Sequence, residues 1–216
     1  MGQEFGTVVE EEWTTPPLFG LPGSMRRVKT FISGDNLRRE EADSSQFVVV
    51  RSDLGKAWLL RPKSKTYFEM DKETLQGLAT MALMLFGIGI DPETGKPSIP
   101  ESLFVETGRR QTLDSWTCRE VLLRRSTGRP VILWLGEGLK PGLYTGILKN
   151  LMGSSADAYG SFFAQLDGLG GYPVLVEAGF GNRRFSQRLI SVETKAVSKS
   201  LFELPKGYRR LESLEP

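Results

Sequence analysis

From Arg26 to Met70 the chain alternates apolar and polar positions in short runs separated by turn residues. Val28, Thr30 and Ile32 alternate with Lys29, Phe31 and Ser33, and Gly34-Asp35-Asn36 then supplies hairpin-turn chemistry. Leu37 to Glu41, Phe47 to Arg51, Lys56 to Arg61 and Thr66 to Met70 read as successive strands of an antiparallel meander. An earlier strand spans Gly6 to Trp13 and is broken by Thr15-Pro16-Pro17. At Asp71 the period changes: this residue can cap a helix from Lys72 or Glu73 to about Phe86. Leu78 to Phe86 is apolar nearly all round, which predicts burial on both sides, yet the run is shorter than the about 20 residues a membrane span needs.

Gly87 to Pro100 has no hydrophobic period and reads as a loop. A second strand set follows, with Arg110 to Arg125 as a long hairpin arm and Val131 to Leu135 as its neighbour. Pro141 can open a helix, in which Leu143, Ile147, Leu148, Leu151 and Met152 recur at helical spacing. Tyr159, Phe162, Phe163 and Leu166 do so after Gly153-Ser154-Ser155. Strands over Tyr172 to Ala178 and Arg184 to Val197 follow, joined by Gly179 to Asn182. The fold class is therefore α+β: an antiparallel sheet whose apolar face the two helical regions are the candidates to cover.

Composition narrows the chemistry. The 216 residues are 39% hydrophobic and 25% charged, an ordinary globular mixture, with a formal net charge of +2. The 28 basic residues are nearly matched by 26 acidic ones. Six basic doublets (Arg26-Arg27, Arg38-Arg39, Arg109-Arg110, Arg124-Arg125, Arg183-Arg184, Arg209-Arg210) fall mostly on strands or strand ends. Neighbours on a strand point to opposite faces, so the doublets form no basic stripe for nucleic acid. The chain has no histidine, which removes Ser-His and Cys-His catalysis, His-ligated zinc and proximal-His haem. Cys118 is the single cysteine, so no intrachain disulfide forms. With Trp116 two residues before it, Cys118 faces one side of a strand as a small buried hydrophobe.

The order of a strand meander, Lys65-x-Tyr67-x-x-Met70, an apolar helix, Trp116-x-Cys118, Val131-x-x-Trp134, a helix, Gly171-Tyr172-Pro173-Val174 and the ending Phe202-Glu203-Leu204-Pro205-Lys206-Gly207-Tyr208 resembles a bacterial exported family, domain of unknown function 4412. That family is related to the lipoprotein-localisation carriers (LolA- and LolB-like). The resemblance runs from about Arg26 to Leu211 and implies a strongly curved antiparallel sheet, a half-open barrel closed by helices, as a carrier-like domain over 26–211, with a helix and loop insertion at about 72–100. Residues 1–25 would be an N-terminal strand with a Pro-rich lead-in, and 212–216 a tail. Met1 to Gly6 shows no basic or apolar leader, which reads either as a cytosolic protein or as a mature chain whose signal peptide has been removed, and the resemblance implies the second, a periplasmic or extracellular protein. No lipobox cysteine precedes the domain.

A carrier-like fold implies an apolar ligand: an acyl chain, a lipid or a lipidated protein. Trp58, Tyr67, Phe68, Trp116 and Trp134 would line the cavity walls, and equally fit as core aromatics. Leu78, Met81 and Leu85 belong to the Met/Leu helix, which is either a core plug or a movable lid whose thioethers repack against varied shapes. No cofactor or metal is expected, and no catalytic residue. Carboxylates such as Glu10 to Glu12, or Asp114 with Glu120, are the remaining acid-base candidates, and their spacing selects no pair. Asp91-Pro92-Glu93-Thr94-Gly95 reads as a turn. Besides an apolar small molecule or lipidated protein, self-association through strand edges or the apolar helix is the alternative partnership.

Overall fold

The structure, a computed structural model, describes residues 3–17, 22–85, 88–125, 129–139, 145–180 and 183–213. The meander follows the alternation residue for residue: β1 (Gln3–Thr15), β2 (Ser24–Ser33), β3 (Asn36–Glu41), β4 (Phe47–Arg51), β5 (Lys56–Arg61) and β6 (Thr66–Met70). Gly34 takes the left-handed φ of +53° that the β2–β3 turn requires. Helix α1 (Lys72–Leu85) starts where Asp71 caps it, the Thr74 N–H donating to Asp71 Oδ1 at 2.9 Å.

A two-stranded ladder, β7 (Gly89–Ile90) with β8 (Pro97–Ser98), closes the loop around the expected turn. Asp91 Oδ1 accepts from the N–H groups of Glu93 and Thr94, both at 2.9 Å. The expected long arm is two strands, β9 (Phe104–Leu113) and β10 (Trp116–Leu123). Its turn is made by Asp114 at φ +52°, an aspartate that tolerates the left-handed region. Next come β11 (Val131–Gly136), α2 (Thr145–Met152), a 3-10 segment (Gly153–Tyr159), α3 (Gly160–Gly168), β12 (Tyr172–Phe180), β13 (Arg183–Ser198), a 3-10 turn (Lys199–Phe202) and β14 (Arg209–Leu211). The expected helix opening at Pro141 and Leu143, and Phe86 at the end of the first helix, lie outside the described residues.

Twelve strands form one sheet in the order β14-β6-β5-β4-β3-β2-β1-β13-β12-β11-β10-β9. Every ladder is antiparallel except β14 on β6. β1 sits in the middle, bonded to β2 and β13. The sheet is open at its ends, strongly curved and covered by helices, the half-open architecture expected from the resemblance.

Both faces are buried along much of the sheet. On β1 to β5, Val9, Ile32, Val50 and Ala57 pack with Leu75 of α1 and Ile147 of α2. The intervening positions Val8, Val49, Trp58 and Leu60 face the other way and pack with Val197 and Phe202. A third cluster joins Val121, Leu123, Leu133 and Leu135 to Ala79 and Leu83 of α1 and to Phe162 and Phe163 of α3. Burial on α1 follows one stripe, Leu75, Ala79 and Leu83, while Leu78, Met81 and Met84 stay exposed. The all-round apolar helix thus covers the sheet with one face only, because it lies as an outer layer. Gln76 ties it to α2, its Nε2 donating to the Met152 carbonyl at 3.0 Å and satisfying a helix-end acceptor.

Candidate functional site

Between the concave face and the helices lies a cavity of about 450 Å³. Its walls come from β1, β2 and β3 (Glu11, Trp13, Thr30, Leu37, Arg39), through β13 and β12 (Gln187, Val176), to β11, β10 and β9 (Leu133, Leu135, Leu123, Phe104). From β3 to β9 are seven strand spacings of about 4.8 Å, or roughly 34 Å across a flat sheet. A single cavity of this size touches all of them only because the sheet curls around it. The roof is helical: Leu83 of α1, Thr145 and Leu148 of α2, Phe162 and Leu166 of α3. Leu83 is 1% exposed.

One part of the wall is polar. Strand alternation places Val9, Glu11 and Trp13 on the inner face of β1, and a register shift between Glu10 and Glu11 against β13 marks a bulge there. Glu11 is 3% exposed and held by neutral donors. Its Oε1 accepts from the Tyr172 hydroxyl at 2.7 Å and from Gln187 Nε2 at 2.6 Å, and its Oε2 accepts from Trp13 Nε1 at 3.1 Å. Buried carboxylates require such satisfaction, since an unpaired one would cost several kcal/mol. The Trp13 ring meets Phe185 edge-on at 5.5 Å, and the Arg39 guanidinium lies 4.2 Å over it. Gly171, at the lip, leaves no room for a side chain: a Cβ there would stand 3.0 Å from the Gly136 carbonyl oxygen.

The carboxylates singled out in the sequence are held apart. Glu10, on the outer face of β1, pairs with Lys29 at 2.6 Å. Asp114 is bound bidentately by Arg188, with contacts at 2.8 and 2.9 Å. Glu120 is buried under Arg109 Nη1 at 2.9 Å and the Thr107 hydroxyl at 2.7 Å. Each acid thus has its own partners. Among the described residues no group of three or more His, Cys, Asp or Glu side chains could hold a metal ion. The basic doublets split as strand geometry demands: Arg38 stacks on Phe47 at 3.8 Å, and its neighbour Arg39 on Trp13.

The aromatic and helical residues expected as a pocket are distributed differently. Trp58 and Tyr67 belong to the cluster on the outer face of the sheet, where Trp58 Nε1 donates to Glu69 at 3.0 Å. Phe68 is half-buried on the neighbouring strand. Trp116 and Trp134 pack with Cys118, and the Arg109 guanidinium lies 5.6 Å above Trp134. Leu78 and Met81 are 44% and 56% exposed on the outward side of α1. The Leu85 side chain lies outside the described residues. None of the seven described side chains is among those lining the 450 Å³ cavity; Leu133 and Leu135, flanking Trp134, are. Burial pushes the Cys118 thiol above its ordinary pKa, in keeping with an inert core position. Glu11, Trp13 and Arg39 were missed as a set, although the signal was present: if Val9 faces the core, period two puts Glu11 and Trp13 there too.

No family model matches the chain, and no curated protein does. Solved structures match in fold. An uncharacterized conserved protein from Thermus thermophilus is 8% identical with a TM-score of 0.51, over 95% of this chain and 89% of that one. A LolA superfamily protein from Nitrosomonas europaea is 8% identical with a TM-score of 0.36, over 92% of this chain and 90% of its own. A structure of PNGF-II is 10% identical with a TM-score of 0.42, over 96% of this chain and 30% of its own. The Thermus likeness concerns fold, and the two looser ones add no detail. Among the described residues no helix is long and apolar enough to cross a membrane.

Proposed function

We propose that this chain is a non-enzymatic binding module of the bacterial cell envelope, working in the periplasm or outside the cell, that takes an apolar ligand into the cavity under α1. The ligand is an acyl chain, a lipid or the lipid part of a modified protein. The supporting observation is the cavity itself. At about 450 Å³ it falls within the roughly 300–1,000 Å³ of small-ligand sites, and it is about three times the roughly 150 Å³ that a large core deletion leaves. Its apolar walls would otherwise hold an unfilled space at a cost in lost contacts. α1 is the natural gate, because among its described residues one stripe, Leu75-Ala79-Leu83, and the Gln76 bond to Met152 hold it down, while Leu78, Met81 and Met84 face outward. Leu78, Met81 and Leu85 would travel with it, and the family resemblance of the motifs points to the same use.

Assembly is the second reading, favoured by the exposed Leu78, Met81 and Met84 along one helix. Native mass spectrometry of protein exported to a bacterial periplasm, with solvent extraction of anything bound, separates the two. A monomer carrying a homogeneous extra mass in the lipid range is the expected result. A ligand-free oligomer would overturn the cavity reading and favour assembly.

A further inference from the structure

An apolar cavity with one cation among the described residues of its wall selects the head of its ligand as well as its tail. The donors around Glu11 are spent: the Tyr172 hydroxyl, Gln187 Nε2 and Trp13 Nε1 all point at its carboxylate. Arg39 is different. It lines the same cavity, it is half-buried, and its guanidinium lies 4.2 Å over the Trp13 ring. Among the described residues no carboxylate or carbonyl accepts a hydrogen bond from that guanidinium. Its adjacent doublet partner, Arg38, is by contrast fully engaged, with Glu40 at 2.6 Å and the Leu201 carbonyl at 3.2 Å.

We infer that the occupant is a single-chain amphiphile with an anionic oxygen head, taken by Arg39 at the β3 side of the cavity while the tail runs inward among Leu83, Leu123, Leu133 and Phe162. This rests on the cavity reading above. The guanidinium offers a planar fork of donors that matches a carboxylate or phosphate, and stacking on Trp13 pre-orients it. Glu11 is 3% exposed and its oxygens already accept from Tyr172, Gln187 and Trp13, so no donor is left there for an anionic head, which is met at Arg39. A cationic head would meet Arg39 first and be disfavoured, and a neutral one would leave the guanidinium donors unused.

The test compares dodecanoate, dodecyl phosphate and dodecanol by calorimetry below their aggregation concentrations, on wild type, Arg39→Gln and Arg39→Lys. Wild type is expected to bind the two anions at least about tenfold more tightly than dodecanol, as a charge-assisted hydrogen bond implies. Arg39→Gln should abolish that preference, lowering the affinity of both anions to that of dodecanol on the same variant. Arg39→Lys, which keeps the charge and loses the fork, should retain part of it. Whichever anion binds more tightly names the source of the head, free carboxylate or phosphate. Equal binding of dodecanol and the anions by wild type, which needs no variant to fold, would overturn the assignment of the head and leave the cavity reading standing. Failure of all three compounds to bind would overturn both.

Discussion

A buried and a half-buried carboxylate show how differently this protein treats the same side chain. Glu11 sits inside the curl and is satisfied by three neutral donors. Glu69, on the outer face, is satisfied by Trp58 and by cations: Lys56 at 3.1 Å, with Arg210 at 3.7 Å. The Trp58 hydrogen bond first, and then Lys56, hold the Glu69 carboxyl below its ordinary value of 4.5. A carboxyl depressed in the folded state contributes stability above its unfolded pKa and loses it as pH falls through the folded value. Glu69→Gln should therefore flatten the decline in stability below about pH 4.5 and lower the stability at neutral pH, as read from urea midpoints across pH. An unchanged acid limb would show that the depression does not reach the folding equilibrium. Because Arg210 belongs to β14, the same variant reports on how firmly that strand is held.

At the scale of elements, α1 is one helix with two surfaces. Leu83, 1% exposed in the cavity roof, packs in the core cluster, so Leu83→Ala should cost about 2–5 kcal/mol. Met81→Ser, on the exposed side, should change stability by less than about 0.5 kcal/mol. Equal losses in denaturant unfolding would mean that the outward side is packed in solution. The elements differ in how far the sequence discloses them. β2 to β6 could be read because each has a half-buried pleat and turn residues on both sides. β9 could not: it is exposed over most of its length, so no alternation marks it, and its turn into β10 carries Asp114 in place of a glycine. The cavity was still less legible. Its wall is assembled from eight strands whose contributions meet only through curvature, while the aromatics that stand out in the sequence, Trp58, Tyr67, Trp116 and Trp134, went to the outer face and the core.

The whole molecule is held by a layer on each side of its sheet. Helices cover the concave side, and the segment around Lys199–Phe202 covers Val8, Val49, Trp58 and Leu60 on the other. Phe202 is 2% exposed at the centre of that patch. Phe202→Ala should cost about 3–5 kcal/mol and reduce the thermal midpoint without emptying the cavity, since the two layers share no residue. Loss of ligand binding at temperatures where the variant remains folded would show that the layers are coupled. The placement of β1 has a further consequence, in time. Its neighbours are β2, which follows at once, and β13, which begins at Arg183. At a synthesis rate of about 5–20 residues per second, β1 waits on the order of ten seconds for its second partner to be made. The sheet cannot be completed around its middle strand until most of the chain has left the ribosome, which leaves a long interval in which an unfolded polypeptide can be captured and threaded through a narrow passage.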